Sequence, residues 1–421
     1  MKFDRGFLSL RRQTQVLVAV AGLLLGGQTL AAEPTKVMLG DPALTAGIAG
    51  EGPLTIKELL KWLSDPINHA PLEFELPKGL DAGQANVFIP EANPITRAKI
   101  ELGRQIFFDP RISSDGTISC ASCHSPNQAY GADTRFGIGV GGQEGGRNTP
   151  IAYNRLLSRE QFWDGRASTL EDQAIGPIAN PIEMASTHEA CVDCLAGIPG
   201  YKLQFDAIFE DGITILNVGK VLATFERVLV TGPTPYDYEN DLRNFNRLFA
   251  AEVEDLEALR EDDPELYEQY TSLTRAVEQH PMSESAKNGM TLFFGKANCT
   301  ACHVGANFSD ELYHNIGVGM DADEPDLGRY EITKDDKDRG AFKTPTLRNI
   351  VQSPPYMHDG SQATLEEVMQ WYNVGGHKNP WLSDKMKPLN LTDQELKDVV
   401  AFMVEGLTGE LPKVQDERLP Q

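Results

Sequence analysis

The pattern Cys-x-x-Cys-His occurs twice, as Cys120-Ala121-Ser122-Cys123-His124 and as Cys299-Thr300-Ala301-Cys302-His303. Two thiols at that spacing add to the vinyl groups of a haem, and the adjacent histidine is carried under the ring as the proximal iron ligand. One match can be accidental. Two in one chain, in matching surroundings, point to two covalently attached c-type haems. Those surroundings include an internal echo: Gly103-Arg104-Gln105-Ile106-Phe107-Phe108 precedes the first motif and Gly289-Met290-Thr291-Leu292-Phe293-Phe294 the second. Both carry apolar residues at helical spacing, so each predicts a helix packed on its haem. Alternation of the kind a sheet requires does not persist anywhere, which predicts a mostly α fold with two c-type cytochrome domains, each around its own haem.

A chain of 421 residues suggests two or three folding units, enough to bury large cofactors. Residues 1–32 have the pattern of an export signal: Lys2, Arg5, Arg11 and Arg12 come before an apolar run at 16–25, and Ala31 and Ala32 close it. Residues 33–91 form an extension punctuated by proline and glycine, with one helical pattern at 55–63. The amino-terminal cytochrome domain is expected over 92–235 and the carboxy-terminal one over 285–421. Between them, 236–284 reads as an acidic, solvated helical insertion with Leu256, Leu259 and Leu266 among its charges. The glycine-rich stretch 136–149 predicts a loop, while 161–174 and 364–372 predict helices.

The net charge of −23 argues against nucleic acid as a partner, because the phosphate backbone would be repelled. A small basic electron carrier would be attracted, although acidity also serves solubility. Beyond the leader no run approaches the roughly 20 apolar residues that span a bilayer, so no membrane span is expected. Export places the protein in the periplasm. There the two cysteines left over, Cys191 and Cys194, are expected to form a local disulfide, since Leu195 stands where a third haem would need histidine.

What lies on the far side of each iron decides between electron transfer and catalysis, because an open position can bind peroxide or oxygen. No histidine falls between His124 and His188, and Met184 is the only nearby methionine, so the first haem is expected to lack a strong sixth ligand. The run Gln161-Phe162-Trp163-Asp164-Gly165-Arg166-Ala167 is followed by Gln173-Ala174 and by Pro181-Ile182-Glu183-Met184. Further on come Lys343-Thr344-Pro345-Thr346-Leu347-Arg348-Asn349 and Pro355-Tyr356-Met357-His358-Asp359-Gly360. Taken with the haem motifs, this set resembles the bacterial dihaem cytochrome c peroxidase family, which also contains MauG, over roughly residues 92 to 410.

The resemblance implies roles. Glu183 and Gln173 would lie over the open haem face, the carboxylate moving a proton between the two peroxide oxygens and the amide orienting the oxidant. Trp163 would relay electrons between the haems while also packing as a core indole. Many family members cap the first haem with a histidine from the glycine-rich loop; Val140 stands there instead, which implies a site open without prior reduction. The second haem, on His303, would take its far ligand from the position fourteen residues beyond His358, which is Tyr372, with Met369 the competitor one helical turn earlier. A phenolate favours the higher oxidation states of iron and a thioether raises its potential. Asn148, Ser353 and Pro355 fall at the family's calcium positions, with a hydrogen-bonded turn as the plainer reading.

The expected function is that of a periplasmic dihaem peroxidase reducing hydrogen peroxide to water with electrons from a small cytochrome c or cupredoxin. A MauG-like oxidation of residues in a partner protein is the alternative favoured by Val140 and Tyr372. Against it, Ala297 stands where MauG carries a surface tryptophan. A third reading, a non-catalytic electron carrier, requires strong ligands on both irons. His69, His188, His280, His314 and His377 are read as structural or surface residues.

Overall fold

The computed structural model describes residues 36–421; the export pattern lies outside the described residues. The described chain is mostly helical, with only four strands of two residues each, and it forms one compact unit. After the extension's helix α1 (Ile56–Leu63) come α2 (Arg97–Phe108) and α3 (Cys120–Cys123), which carries both cysteines of the first haem motif. Four helices complete the amino-terminal half: α4 (Leu170–Ala179), α5 (His188–Ala196), α6 (Pro199–Ile208) and α7 (Ile215–Val228). The acidic insertion is α8 (Pro235–Leu248), α9 (Leu256–Asp262) and α10 (Pro264–Gln279), in which α10 folds back against α8. The carboxy-terminal half is built from α11 (Glu284–Phe293), α12 (Tyr330–Thr333), α13 (Leu365–Val374) and α14 (Asp393–Ala401).

Threonine and serine start most of these helices for a local reason. Thr96, Thr169, Thr214, Ser283, Thr364 and Thr392 each accept a hydrogen bond from a backbone N–H of the first turn, satisfying donors that have no partner inside the helix. At Thr364 and Thr392 a glutamate three residues on returns the bond, completing a capping box.

The two halves are built alike. In the first, α2 crosses α7; in the second, α11 crosses α14. Each crossing is made at a glycine: a Cβ on Gly103 would overlap the Val221 carbonyl, and one on Gly289 the Asp398 carbonyl. Beside each glycine a phenylalanine pair closes the contact, Phe107 and Phe108 on Phe225, and Phe293 and Phe294 on Phe402. The echoed sequence therefore encodes a helix crossing whose close approach only glycine permits.

A second repeat lies downstream of each motif. One constant separation relates Thr149 to Thr344, Asn154 to Asn349, Asp164 to Asp359, Gly165 to Gly360 and the helix cap Thr169 to Thr364. The backbone follows suit: Phe162 and Met357 both have positive φ (67° and 72°), as do Gly165 and Gly360 (69° and 60°). This turn corrects one expectation. Residues 161–169 are not helical; Gln161 bridges Ala167 across the Asp164-Gly165 turn and helix α4 begins only after Thr169.

The carboxy-terminal tail returns over the first half. Arg104 donates to the carbonyls of Gln415 and Glu417, Tyr130 to that of Pro412, and Arg418 to those of Ile48 and Gly52 in the extension. Leu54 bridges Pro420. The extension and the tail thus hold one another across the amino-terminal core.

The remaining cysteines are also corrected. Cys191 and Cys194 are unlinked, both on α5. Cys191 is packed in the amino-terminal core, while the Cys194 thiol donates to the Arg111 carbonyl at 3.2 Å.

Candidate functional site

Both Cys-x-x-Cys-His motifs open on one cavity of about 670 Å³ that runs between the two halves. The four motif thiols carry no disulfide. His124 Nδ1 donates to the Tyr130 carbonyl (3.2 Å) and His303 Nδ1 to the Phe308 carbonyl (2.9 Å), which leaves Nε2 of each ring as the metal-binding lone pair. Burial holds both imidazoles below their ordinary pKa and so favours the neutral form that ligates a metal.

The lining suits haem in charge as well as shape. Arg155 faces the cavity and its guanidinium bonds only neutral acceptors, Gln161 Oε1 and Ser158 Oγ; among the described residues it makes no ion pair. Lys343 is also in the lining, and burial together with the charge of Arg155 presses its pKa down to about 8. Lys343, buried and paired with Glu311, and the part-buried Arg155 repel one another and put positive charge on the lining, which suits a group bearing carboxylates, as haem propionates do. Cys120, Cys123 and His124 would hold one haem, and Cys299, Cys302 and His303 the other.

Near the first motif the same cavity is lined by Gln173 and Pro177 of α4 and by Asn180, Glu183 and Met184 of the turn after it. The Glu183 carboxylate accepts from Asn180 Nδ2 at 2.8 Å. Burial pushes its pKa above the ordinary carboxylate range, and the Arg166 charge and the Asn180 bond pull it part of the way back. The guanidinium of Arg166 lies 3.5 Å from the Phe162 ring centroid. The glycine-rich loop is tied to this turn through backbone: Val140 N–H donates to the Glu183 carbonyl (2.8 Å), and a Cβ on Gly139 would overlap the carbonyls of Ile182 and Glu183.

At the second motif Tyr372 and Met369 both line the cavity. Burial pushes the Tyr372 phenol up, and the neighbouring Cys302 and Cys299 add to the effect. Met369 belongs to the carboxy-terminal core and is 3 % exposed. The repeat relates Tyr372 to Pro177, so the place that presents a phenol in the second half presents a proline, which has no ligating side chain, in the first. That correspondence was available in the sequence, through the paired Thr-Pro and Asp-Gly turns.

Trp163 stands between the halves. Its Nε1 donates to the Asn148 carbonyl (2.9 Å) and its own carbonyl accepts from Lys343 N (2.8 Å). Asn148, Ser353 and Pro355 line the same cavity, and Asn148 Nδ2 donates to the Arg135 carbonyl (3.1 Å), which turns its amide nitrogen toward protein.

Arg155, Arg166 and Glu226, given no role on sequence grounds, and His314, read there as a structural or surface residue, all line the cavity. His314 donates to Asp310 at 2.8 Å beside Lys385, close to the Cys302 thiol. That thiol belongs to the haem motif, so the cluster is part of this site.

Comparison with known proteins agrees with the two-part build. Residues 97–243 match the family model described as di-haem cytochrome c peroxidase, and 286–406 match that of cytochrome c. The chain is 36% identical to the methylamine utilization protein MauG of Methylorubrum extorquens, over 79% of this chain and 84% of that one. It is 35% identical to the cytochrome c551 peroxidase of Nitrosomonas europaea, over 76% and 82% respectively. Among solved structures, a MauG-like protein associated with microbial copper homeostasis superposes with a TM-score of 0.64 at 28% identity, covering 77% of this chain and 93% of that one.

Proposed function

Because the chain belongs to the di-haem cytochrome c peroxidase and MauG family, we propose that it reduces hydrogen peroxide to water on the His124 side of the cavity, with electrons that enter on the His303 side. The observation that carries this reading is the exchange of Tyr372 for Pro177 between the two halves, which gives one centre a candidate far ligand and the other none at that place. When bound, each haem supplies an iron that exchanges electrons, and the one without a far ligand also offers a coordination position for peroxide.

The chain's own residues do the rest. Glu183, desolvated and steadied by Asn180, takes a proton from the near oxygen and returns it to the leaving one. Gln173 orients the oxidant from α4. Trp163, bonded to both halves through Asn148 and Lys343, is the relay between them. Two electrons and two protons convert each peroxide to two waters. The electrons come from a small redox protein, cytochrome c or cupredoxin, and the export pattern puts the reaction in the periplasm. Among the described residues no helix is long and apolar enough to cross a membrane.

Purified oxidised protein is expected to show a high-spin ferric signal by electron paramagnetic resonance and to turn over peroxide with a reduced small cytochrome. Two wholly low-spin haems that persist on reduction would end the proposal. Val140 and Tyr372 favour a second reading, peroxide-driven oxidation of residues in a partner protein. It gains if steady turnover is negligible while peroxide leaves a long-lived oxidised spectrum.

Calcium is proposed at Asn148, Ser353 and Pro355, where amide and carbonyl oxygens suit a hard cation. A chelator should then slow electron transfer between the haems and added calcium restore it; an unaffected rate removes the ion from the scheme.

A further inference from the structure

Glu226 lies on α7 one residue beyond Phe225, where the helix crosses α2. It is 7 % exposed, lines the cavity, and among the described residues no group donates a hydrogen bond to its carboxylate. Its oxygens are not sealed against protein but open on the cavity, so the carboxylate faces the space that the first haem would fill. The mechanism above makes no use of it.

In the internal repeat the equivalent position is apolar. The crossing that aligns Gly103 with Gly289 and Phe225 with Phe402 aligns Glu226 with Met403. Met403 lines the same cavity from the other half and is 4 % exposed. One helical position thus carries an apolar side chain beside the His303 centre and an acid beside the His124 centre.

We propose that Glu226 is a redox-linked proton carrier for the haem on His124: it binds a proton from bulk water when that haem gains an electron and releases it to bulk water when the electron leaves. Each electron is then matched by one proton, and the net charge of the buried region stays constant. The charged groups facing Glu226 set its working range. Burial pushes its pKa up to about 8, Arg155 on the facing turn and Arg227 on its own helix draw it down, and Glu171 of α4 raises it again. Cys120 also lies close enough to be affected by its charge, but becomes an uncharged thioether once haem is attached. The positive charge of the oxidised centre lowers the affinity of Glu226 for its proton and reduction restores it, so the potential falls as pH rises between the two pKa values.

The test is a spectroelectrochemical titration of the holoprotein between about pH 5 and pH 9, with the His124 haem followed by its own spectrum. Wild type should lose up to about 59 mV for each tenfold fall in proton activity within that window, the one-electron, one-proton limit. Glu226→Met, which installs the residue of the other half, and Glu226→Gln should both flatten this slope, whereas Glu183→Gln should retain it. Redox-difference infrared spectra offer a readout independent of folding yield: a protonated-carboxyl band should accompany reduction in wild type and vanish in Glu226→Gln. A flat wild-type titration, a slope unchanged in both Glu226 variants, or a slope lost only in Glu183→Gln would overturn the proposal. None of these readouts depends on turnover, so a failed peroxidase assay leaves them intact.

Discussion

The role proposed for Glu183 rests on what surrounds that side chain. A glutamate in a Pro-flanked turn is ordinarily solvated; here the turn is pinned by Val140 N–H and the carboxylate is drawn into the cavity beside Arg166. Glu183→Gln should slow peroxide consumption by about 10²–10⁴-fold, the usual worth of a general acid–base, with both haems still attached. Rapid consumption in the variant would remove Glu183 from the chemistry. Because burial raises this carboxyl and a base must be ionised to work, activity should be lost as pH falls through a midpoint above that of an exposed glutamate. Arg166→Gln removes the opposing charge and should move that acid limb to still higher pH, which a pH profile of kcat/KM reads directly. At the other centre Tyr372→Phe should alter the low-spin spectrum; an unaltered one would hand the ligand role to Met369.

Among the helices, the two glycine crossings do most to shape the site, since each sets a haem-binding turn against its core. Gly289→Ala would drive a methyl group into the Asp398 carbonyl and force α11 from α14. Overpacking of this kind costs about 1–3 kcal/mol, so the variant should unfold at a lower temperature and carry less haem at Cys299 and Cys302. Thermal melts and haem quantification check both. Gly139→Ala should act differently, displacing the Glu183 turn while leaving the core intact, and should impair peroxide reactivity with little change in melting temperature.

Ion pairs and the tail cross between the two halves, and a buried ion pair anchors the insertion to the second half. Arg348 and Asp237 form a two-pronged pair at 2.8 and 2.9 Å, with side chains 1% and 3% exposed. Asp237→Ala would strand a buried guanidinium, at a cost of about 3–5 kcal/mol, measurable by denaturant unfolding of the holoprotein. Arg147 joins Asp164 to Asp326 and Arg329 reaches Glu160, so the turn that carries Trp163 is clamped from the second half. Such clamping suits the relay role proposed for Trp163, which requires one fixed distance from each centre.

Motif chemistry was legible from residues alone: haem attachment, the mostly helical fold and the glycine-rich loop follow from local spacing, because thiol addition, helix periodicity and turn propensity each need only a few neighbouring residues. The apolar repeat at 161–174 misled because its first half belongs to a turn fixed by Phe162 and Gly165 in positive φ, and the pairing expected of Cys191 and Cys194 failed because α5 sends one thiol into the core and the other to the Arg111 carbonyl. Arg155, Glu226 and Lys343 gain their meaning from long-range folding, which removes water from charges that would be unremarkable on a surface. Burial is a property of the packed chain, and it is burial that turns these ordinary ionisable residues into parts of a redox site.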